Sequence, residues 1–361
     1  MKILVISLAG IGDTIFATPL IHELRLNFPE AQIEALVLWR GARDVLENNP
    51  YLNRVHQKNL IAASKFDSLG FLLKLRRERY DVSINTFPQS RRHYRLIAKI
   101  IGAKIRISHE YDCSGALDQL LVNKSLAQDY SRHAVENNLA LLPLIGARSK
   151  LERHDYEIFL TDTEKKWAEN FIFTNKVSGR TLFGIHVGSG GTKNLALRRW
   201  PLENFIELVR HLQKEHQALA LLFFGGPEEK SDHEKIRAVI RGDNLFFPET
   251  ENIRQAAALV GKCKLFLSVD TSLMHVAAAM KVPKQIVIET PTWNKPIEPN
   301  GNQFTLVRNP AVAGRNLDFY RYDGRDIRGS AKELMCCMKS VSVRSVIEAL
   351  RPGFESVRAE I

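Results

Sequence analysis

The chain has 361 residues, with 51 Lys and Arg against 40 Asp and Glu, so its formal net charge at pH 7 is +11. A length of this order predicts two domains or one large one. Hydrophobic residues make up 45% and charged residues 25%, which is the balance of an ordinary soluble globular protein and excludes disordered, collagen-like and low-complexity classes.

Secreted and membrane-spanning classes are also disfavoured. The N-terminal apolar run stops at Gly10 and Asp13 with no small-residue cleavage site behind it, which predicts a first strand rather than a signal peptide. No stretch approaches 18 consecutive apolar residues, so no membrane span is predicted. The four cysteines contain no C-x-x-C pair and are too few for a disulfide framework, which predicts reduced thiols in a cytosolic protein.

The first half of the chain alternates predicted strands and helices. The apolar run at residues 3–8 predicts a strand buried on both faces of a parallel sheet. A helix follows at 14–27, and Pro19 is expected to kink it. Polar residues 147–162 are predicted to connect two domains. Between residues 27 and 147, the pattern predicts strands at 33–38, 82–85 and 104–107 and helices at 41–48, 65–79, 91–101 and 133–144.

A second series with the same plan starts at residue 182. It predicts strands at 182–187, 218–224, 264–269 and 285–289 and helices at 201–216, 228–240, 253–260 and 272–280. Repetition of one α/β plan predicts two Rossmann-like domains that face each other across a cleft. Ligands of parallel sheets bind beyond the carboxyl ends of the strands, so functional residues are expected in the loops after strands.

The first such loop contains Gly10 and Gly12, followed by Asp13 at a predicted helix start. The glycines allow a tight turn and a close approach of a ligand to the backbone. The third glycine of a dinucleotide-binding fingerprint is missing. On spacing alone, Asp13 is either a helix cap, which is the more frequent role, or a functional carboxylate.

Two loops of the second half have the composition of nucleotide-binding loops. Residues 186–193 hold three glycines, two hydroxyls and a lysine, which suits an anion cradle that is not a P-loop. Arg198 and Arg199, just before a predicted helix, either clamp a diphosphate or form a solvated basic turn. Glu228 and Glu229 follow a Gly-Gly turn and suit a ribose or a helix N-terminus equally well.

A further loop, at residues 268–275, leads from a strand into a helix. Thr271 and Ser272 place hydroxyl and N–H groups at the helix N-terminus, where a phosphate binds well. Asp270 either caps the helix or holds the loop, and His275 is either structural or close to the phosphate. The acidic and histidine residues of all these loops lack the spacing of a metal site, so no metal is predicted.

Positive charge is concentrated in one segment. Residues 74–106 carry ten Lys and Arg and two Asp and Glu, a net charge of +8. Such a field indicates an anionic partner: nucleic acid, phospholipid head groups or an acidic substrate. Nucleic acid is disfavoured because interleaved aromatic residues are few and no known nucleic-acid-binding module is present. Within the segment, Arg91, Arg92 and Arg95 are spaced to share one helix face.

Taken together, these loops resemble one known family. The chain is similar to the ADP-heptose:lipopolysaccharide heptosyltransferases, glycosyltransferase family 9 of the GT-B fold. The similarity lies in GIGDTIFATPLIHEL at 10–24, HVGSGGTKNLALRRWPLENF at 186–205, FFGGPEE at 223–229 and LSVDTSLMHVAAAM at 267–280.

The resemblance implies an acceptor-binding domain over residues 1–160 and a nucleotide-sugar-binding domain over 161–340, with a helix within 341–361 that returns to the first domain. It implies an inverting, metal-independent transfer of heptose from ADP-heptose to an anionic lipopolysaccharide inner-core acceptor, without a cofactor. Such an enzyme is expected in the cytoplasm, peripheral to the inner face of the cytoplasmic membrane, with no nucleic-acid partner.

The resemblance also implies roles for individual residues. Asp13 matches the catalytic base, and Arg198 stands where the family usually has the lysine that steadies the sugar diphosphate. Ser272 stands in place of a usual glycine. The donor-binding positions are Gly188, Ser189, Thr192, Lys193, Glu229, Asp270, Thr271, Ser272 and His275, and the acceptor-binding positions are Gly12, Arg91, Arg92 and Arg95.

Other functions remain open. The same fold could transfer another sugar, or use another glycan or a protein as acceptor. A nucleotide-sugar epimerase is a less favoured alternative, because it needs acid and base groups on both faces of one sugar. A non-enzymatic nucleic-acid-binding protein using residues 74–106 would show a steep salt dependence of binding to random duplex.

Overall fold

The computed structural model describes residues 1–190, 194–301, 304–320 and 326–359, with the backbone only for residues 355–359. The described chain divides into two units. The first comprises Met1–Phe159 and Lys295–Glu298, and the second comprises Leu160–Asn294 and the described residues after 298. The expected domains at 1–160 and 161–340 stay a prediction, and Lys295–Glu298 joins the first unit although it lies within the expected second domain.

The first unit alternates strands with helices, as the apolar runs predict. Its strands are β1 (Lys2–Ser7), β2 (Gln32–Val37), β3 (Arg54–Gln57), β4 (Val82–Asn85), β5 (Ile105–Glu110) and β6 (Lys124–Ala127). Its helices are α1 (Ile11–Ile15), α2 (Thr18–Asn27), α3 (Arg40–Leu46), α4 (Lys65–Arg77), α5 (Arg92–Ile101), α6 (Ala116–Leu121) and α7 (Ala134–Leu139). The described strands form one parallel sheet in the order β3-β2-β1-β4-β5-β6.

The second unit repeats this plan. Its strands are β7 (Thr181–His186), β8 (Leu219–Phe224), β9 (Leu245–Phe246), β10 (Leu265–Ser268), β11 (Lys284–Ile288) and β12 (Phe304–Val307). Its helices are α8 (Asp162–Thr174), α9 (Leu202–Glu215), α10 (Lys230–Val239), α11 (Ile253–Val260), α12 (Ser272–Ala279), α13 (Asn316–Phe319), α14 (Ala331–Lys339) and α15 (Val343–Ala359). The described strands are parallel in the order β12-β11-β10-β7-β8-β9. The fold is α/β with two Rossmann-like units.

The helix expected at residues 14–27 is two helices. The first helix ends at Ile15, Phe16 and Ala17 keep right-handed helical dihedrals, and α2 begins at Thr18 with Pro19 in its first turn. Proline lacks an N–H donor and is tolerated in the first turn of a helix, where the N–H groups have no intrahelical partner. Pro19 therefore lies in the first turn of the second helix, directly after the interruption.

The last helix packs on the second unit. The apolar side chains of Val343, Val346, Leu350 and Phe354 belong to the buried cluster that also holds strands β7, β8, β10 and β11. The expectation that this helix returns to the first domain is corrected for its described side chains. Their apolar spacing covers one face of the second sheet, which accounts for their burial.

A buried carboxylate connects the strands of the first sheet. Glu34 on β2 accepts hydrogen bonds from His56 on β3 at 2.7 Å and from the Tyr80 hydroxyl at 2.5 Å, and Lys2 lies 3.7 Å away. Burial alone would raise the pKa of Glu34, but the hydrogen bonds from His56 and Tyr80 outweigh it and lower the pKa to about 2.

Glu34→Gln is expected to lower the free energy of unfolding at neutral pH by about 1–3 kcal/mol, because a charged acceptor of two hydrogen bonds is lost. The folded pKa lies below the ordinary value of 4.5, so the carboxylate stabilises the fold above about pH 4.5 and loses this effect as the pH falls towards 2. The difference between wild type and variant should therefore shrink between about pH 4.5 and about pH 2, as measured by denaturant titration. Glu30→Gln, at an exposed position, is the control. A difference between wild type and Glu34→Gln that does not change with pH would contradict the lowered pKa of Glu34.

Candidate active site

In the first unit, Asp13 lies at the carboxyl edge of the sheet, in the first turn of α1. Its Oδ2 accepts a hydrogen bond from the backbone N–H of Gly10 at 2.6 Å. Gly10 is the N-cap residue, and a Cβ placed on it would lie 2.9 Å from the same oxygen. Asp13 is thus a capping carboxylate, and the glycine allows the backbone to approach it. Gly12 is half-buried in the same turn.

Three tyrosines lie within electrostatic reach of Asp13. Burial raises the pKa of Tyr94, Tyr111 and Tyr156, and the negative charge of Asp13 raises the pKa of each further. These phenols stay protonated at neutral pH and can donate hydrogen bonds without acting as bases. Asp13 therefore lies close enough to three neutral phenols for its charge to act on them.

Of the three arginines predicted to share a helix face, Arg92 and Arg95 reach the same carboxylate, that of Asp118. Arg91 is the N-cap of α5, and Arg92 is exposed and pairs with Asp118 at 3.3 Å. Arg95 is 1% exposed; it pairs with Asp118 at 3.3 Å and donates to the His109 carbonyl at 2.8 Å. Arg95 is therefore part of the core, because a buried guanidinium needs a carboxylate and carbonyl acceptors around it.

In the second unit, Arg198 is held over the ends of the central strands. Its Nη1 donates to Asp270 Oδ2 at 2.8 Å and to Thr292 Oγ1 at 2.9 Å, and the Thr292 hydroxyl donates to the same carboxylate oxygen at 2.7 Å. Asp270 follows β10 and Thr292 follows the neighbouring β11. The Arg198 side chain is 11% exposed. Its Nε is buried with no hydrogen-bond partner among the described residues.

Arg199 is engaged by protein groups. Its guanidinium donates to Glu229 Oε1 at 3.2 Å, to Asp232 Oδ2 at 3.1 Å and to the Ser189 carbonyl at 3.0 Å. It thereby connects the glycine-rich loop to the turn after β8. Of the two adjacent arginines, Arg199 has the structural role, although its Nε also lacks a partner within the described part of the chain.

Glu229 is buried where the glycine-rich loop passes the turn after β8. Its Oε2 accepts the Gly226 N–H at 2.8 Å, and burial raises the pKa of its carboxyl above the ordinary value. A Cβ on Gly188 would lie 2.1 Å from Glu229 Oε1, a distance that no side chain tolerates. Gly188 therefore allows the loop to pass directly over this carboxylate. Ser189 donates to the Leu195 carbonyl at 2.8 Å.

The loop into α12 is joined to the end of β7. His186 Nδ1 lies 3.1 Å from Thr271 Oγ1. Burial, followed by the nearby charges, lowers the pKa of His186 to about 3, so the imidazole is neutral. Thr271 is the N-cap of α12, Ser272 begins that helix, and His275 is buried one turn later. The strand-end position predicted for these residues is what the structure shows.

Two of the predicted donor-binding residues, Thr192 and Lys193, lie outside the described residues. No group of three or more His, Cys, Asp and Glu that could hold a metal ion occurs within the described ranges. Among the helices that the structure describes, none has the length and apolar composition needed to cross a bilayer.

Similarity to known proteins identifies the family of this chain. Residues 70–318 match glycosyltransferase family 9 (heptosyltransferase). The chain belongs to this family. It is therefore a glycosyltransferase, and the resemblance noted from the loop sequences is confirmed.

Several curated relatives span most of this glycosyltransferase. Lipopolysaccharide heptosyltransferase 3 of Escherichia coli K12 is 27% identical over 291 residues, which cover 75% of this chain and 78% of the relative. Lipooligosaccharide heptosyltransferase 2 of Haemophilus ducreyi is 26% identical over 326 residues, covering 85% and 88%.

Solved structures of the family share the fold. A glycosyl transferase family 9 protein from Veillonella parvula has a TM-score of 0.77 at 20% identity, covering 98% of this chain and 97% of its own. The E. coli ADP-heptose heptosyltransferase II has a TM-score of 0.72 at 20% identity, covering 99% and 100%. The expected GT-B class of two Rossmann-like units is confirmed.

Sequence reasoning missed Thr292 in this glycosyltransferase. Its hydroxyl bridges Arg198 and Asp270, and Thr290 lies 2.9 Å from it. The available signal was position, since both threonines directly follow a buried strand, as the other site residues do. Hydroxyls are too common after strands for that signal to stand out.

Proposed function

We propose that this enzyme transfers a heptose from ADP-heptose to an anionic inner-core acceptor of lipopolysaccharide, with inversion at the anomeric carbon. Membership of the heptosyltransferase family and the names of the curated relatives support this choice. The observation that carries it is the mostly buried Arg198, whose Nε has no partner among the described residues. A fixed cation of this kind suits a diphosphate leaving group.

The donor is assigned to the second unit. Arg198 neutralises the diphosphate, and Asp270 and Thr292 hold the guanidinium in place. The N-terminus of α12 at Thr271 and Ser272 offers N–H groups to a phosphate. Glu229 receives the ribose hydroxyls, and Gly188 and Ser189 lie beside it. His275, Thr192 and Lys193 complete the proposed set.

The acceptor is activated by Asp13. Its carboxylate takes the proton of the acceptor hydroxyl while the hydroxyl oxygen forms a bond to the anomeric carbon. The bond from that carbon to the diphosphate breaks, and its electron pair leaves with ADP. Attack occurs on the face opposite the leaving group, so the configuration inverts.

The acceptor is assigned to the edge of the first unit formed by Gly12, Arg91 and Arg92. Arg92 is exposed and α5 carries it towards solvent, so it can meet an anionic sugar. Arg95 acts through Asp118, which it shares with Arg92. A membrane-borne acceptor would place the enzyme at the membrane surface.

The rival functions differ in what they require. Transfer from another nucleotide sugar uses the same cation and helix N-terminus, so only ligand binding separates it from the proposal. An epimerase requires acid and base groups on both faces of a single sugar, and the family match favours transfer.

ADP and ADP-sugars are expected to stabilise the protein more than UDP-sugars or NAD do. A ligand at 100 times its dissociation constant adds roughly 2.7 kcal/mol to stability. Thermal-shift titrations with matched concentrations of each nucleotide test this. Equal or larger shifts with UDP-sugars would reject ADP-heptose as donor while leaving the glycosyltransferase assignment intact.

Asp13→Asn is expected to lower the single-turnover rate by about 10²–10⁴-fold, the usual contribution of a general base. The amide oxygen can still accept the Gly10 N–H, so the melting temperature and the ADP dissociation constant should barely change. Asp13→Ala is the matched variant, since it also loses the cap and should cost about 1 kcal/mol of stability. An Asn variant that keeps its rate would remove Asp13 from the mechanism.

Gly188→Ala is expected to weaken ADP binding about tenfold or more, because the added Cβ displaces the Glu229 carboxylate, and a hydrogen bond to a charged group contributes about 1.5–3 kcal/mol. Gly190→Ala is the matched control, since among the described residues its Cβ would meet the Leu195 side chain, at 3.2 Å from Cδ1 and 3.9 Å from Cβ. Calorimetric titration of both variants and of Glu229→Gln gives the comparison. Wild-type affinity in Gly188→Ala would show that the position of Glu229 does not matter for the nucleotide.

A further inference from the structure

Exposed apolar side chains are concentrated on one part of the first unit. Twelve large hydrophobic residues are exposed in the described chain, and six of them lie on α4, α5 and α6. These are Phe66, Leu69, Leu73, Leu96, Leu117 and Leu120. A single exposed leucine needs no explanation, but such a concentration marks an interaction surface.

Helix α4 shows why these residues are not part of the core. Leu72 and Leu75 point into the sheet and are buried. Phe66, Leu69 and Leu73 are spaced by three and four residues, so they lie together on a different, exposed side of the helix. Phe66 is 89% exposed. The helix therefore has a second apolar face that folding of the described chain does not use.

The three helices lie side by side. From β3 the chain crosses to β4, and from there it passes to β5 and then to β6, so all three connections run towards the same edge of the sheet. Right-handed crossovers in one direction put α4, α5 and α6 on the same face of the sheet. Their solvent-exposed sides therefore form one continuous surface of the first unit.

Basic side chains flank the apolar ones. On α4, the exposed cations are Lys65, Lys74, Arg76 and Arg77. The acidic residues of the same stretch are already paired, Asp67 with Lys58 at 2.6 Å and Glu78 with Lys2.

Helix α5 adds Arg92 and Lys99 on its exposed side, next to Leu96. The surface thus combines separated apolar side chains with a strong positive charge.

We propose that the exposed side of α4, α5 and α6 docks onto an anionic phospholipid bilayer. Apolar side chains enter the interface between head groups and acyl chains, and the flanking Lys and Arg contact lipid phosphates. This arrangement suits lipid better than protein, because the cores of protein interfaces are depleted of lysine and the apolar residues here are interspersed with cations. The inference rests on this surface alone and does not depend on the proposed donor or acceptor.

Docking by this surface has a consequence for the acceptor edge. Helix α5 begins at Arg92, after the carboxyl end of β4, and β4 pairs with β1, which leads to Asp13. The docking surface and the Asp13 turn therefore meet along one edge of the same unit. A membrane-borne substrate would then meet the unit near the edge at which Asp13 lies.

Co-sedimentation with vesicles tests the proposal. The full chain is mixed with sucrose-loaded vesicles of phosphatidylethanolamine with about one quarter phosphatidylglycerol, and in parallel with phosphatidylcholine vesicles. Wild type should sediment with the anionic vesicles and dissociate as salt rises from about 0.1 M to about 0.5 M.

The triple variant Phe66→Gln, Leu69→Gln, Leu73→Gln should lower the partition coefficient at least about tenfold. The double variant Lys74→Gln, Arg77→Gln should lower it about fivefold for each charge removed. Phe173→Gln, an exposed phenylalanine on α8 of the second unit (77% exposed), is the matched control and should bind as wild type does.

Glutamine is used because it supports helix formation and the replaced side chains are exposed, and unchanged circular dichroism verifies the fold. Wild type that stays in the supernatant with anionic vesicles would overturn the proposal, and so would a triple variant that binds like wild type. Sedimentation velocity adds one more outcome. Self-association of wild type that the triple variant abolishes, without vesicle binding, would assign the surface to a second copy of the chain instead.

Discussion

All described strands of each unit run parallel, so all of their carboxyl ends lie at one edge of the sheet. This constraint decides where chemistry can be assembled. In the second sheet β7 lies between β10 and β8, and β11 follows β10, so the loops after these four strands are neighbours. Arg198 and Thr292 are 94 residues apart in the chain and 2.9 Å apart in space for this reason. The positions of Asp270 and Glu229 follow from the same arrangement.

The charges at this edge are mostly buried, and stability does not explain why. Removing an arginine and a carboxylate from water costs about as much as their attraction returns, so replacement by apolar residues would often be neutral. What the pairs provide is a set of charges held in place before a ligand arrives, which is what stabilisation of a developing anion requires. Arg198 shows the advantage of a guanidinium over an ammonium, because one nitrogen bonds Asp270 and Thr292 while Nε remains directed elsewhere.

Sequence periodicity predicted the strands and helices at the centre of each sheet better than the strands at the sheet margins. Helix α11 has the predicted bounds because its buried apolar residues are a local signal, and β4 has them although Ser83 and Asn85 are polar. Strands β3 and β6 were missed, since RVHQ and KSLA at the sheet margins are only partly buried and carry no apolar run. Arg95 was placed on the right helix, but its burial was not predicted. Its burial depends on Asp118 and on the His109 carbonyl of a neighbouring strand, and such partners cannot be identified from helical spacing.

The two interpretations of Asp13, helix cap and catalytic base, are compatible in physical terms. The cap uses one hydrogen bond to one oxygen at 2.6 Å, and an ionised carboxylate has about four acceptor positions. That bond fixes the rotamer of the side chain, and a base that is already oriented loses less entropy when the acceptor arrives. A capping bond is therefore no argument against catalysis here, because both roles require a carboxylate held in one position at the end of β1.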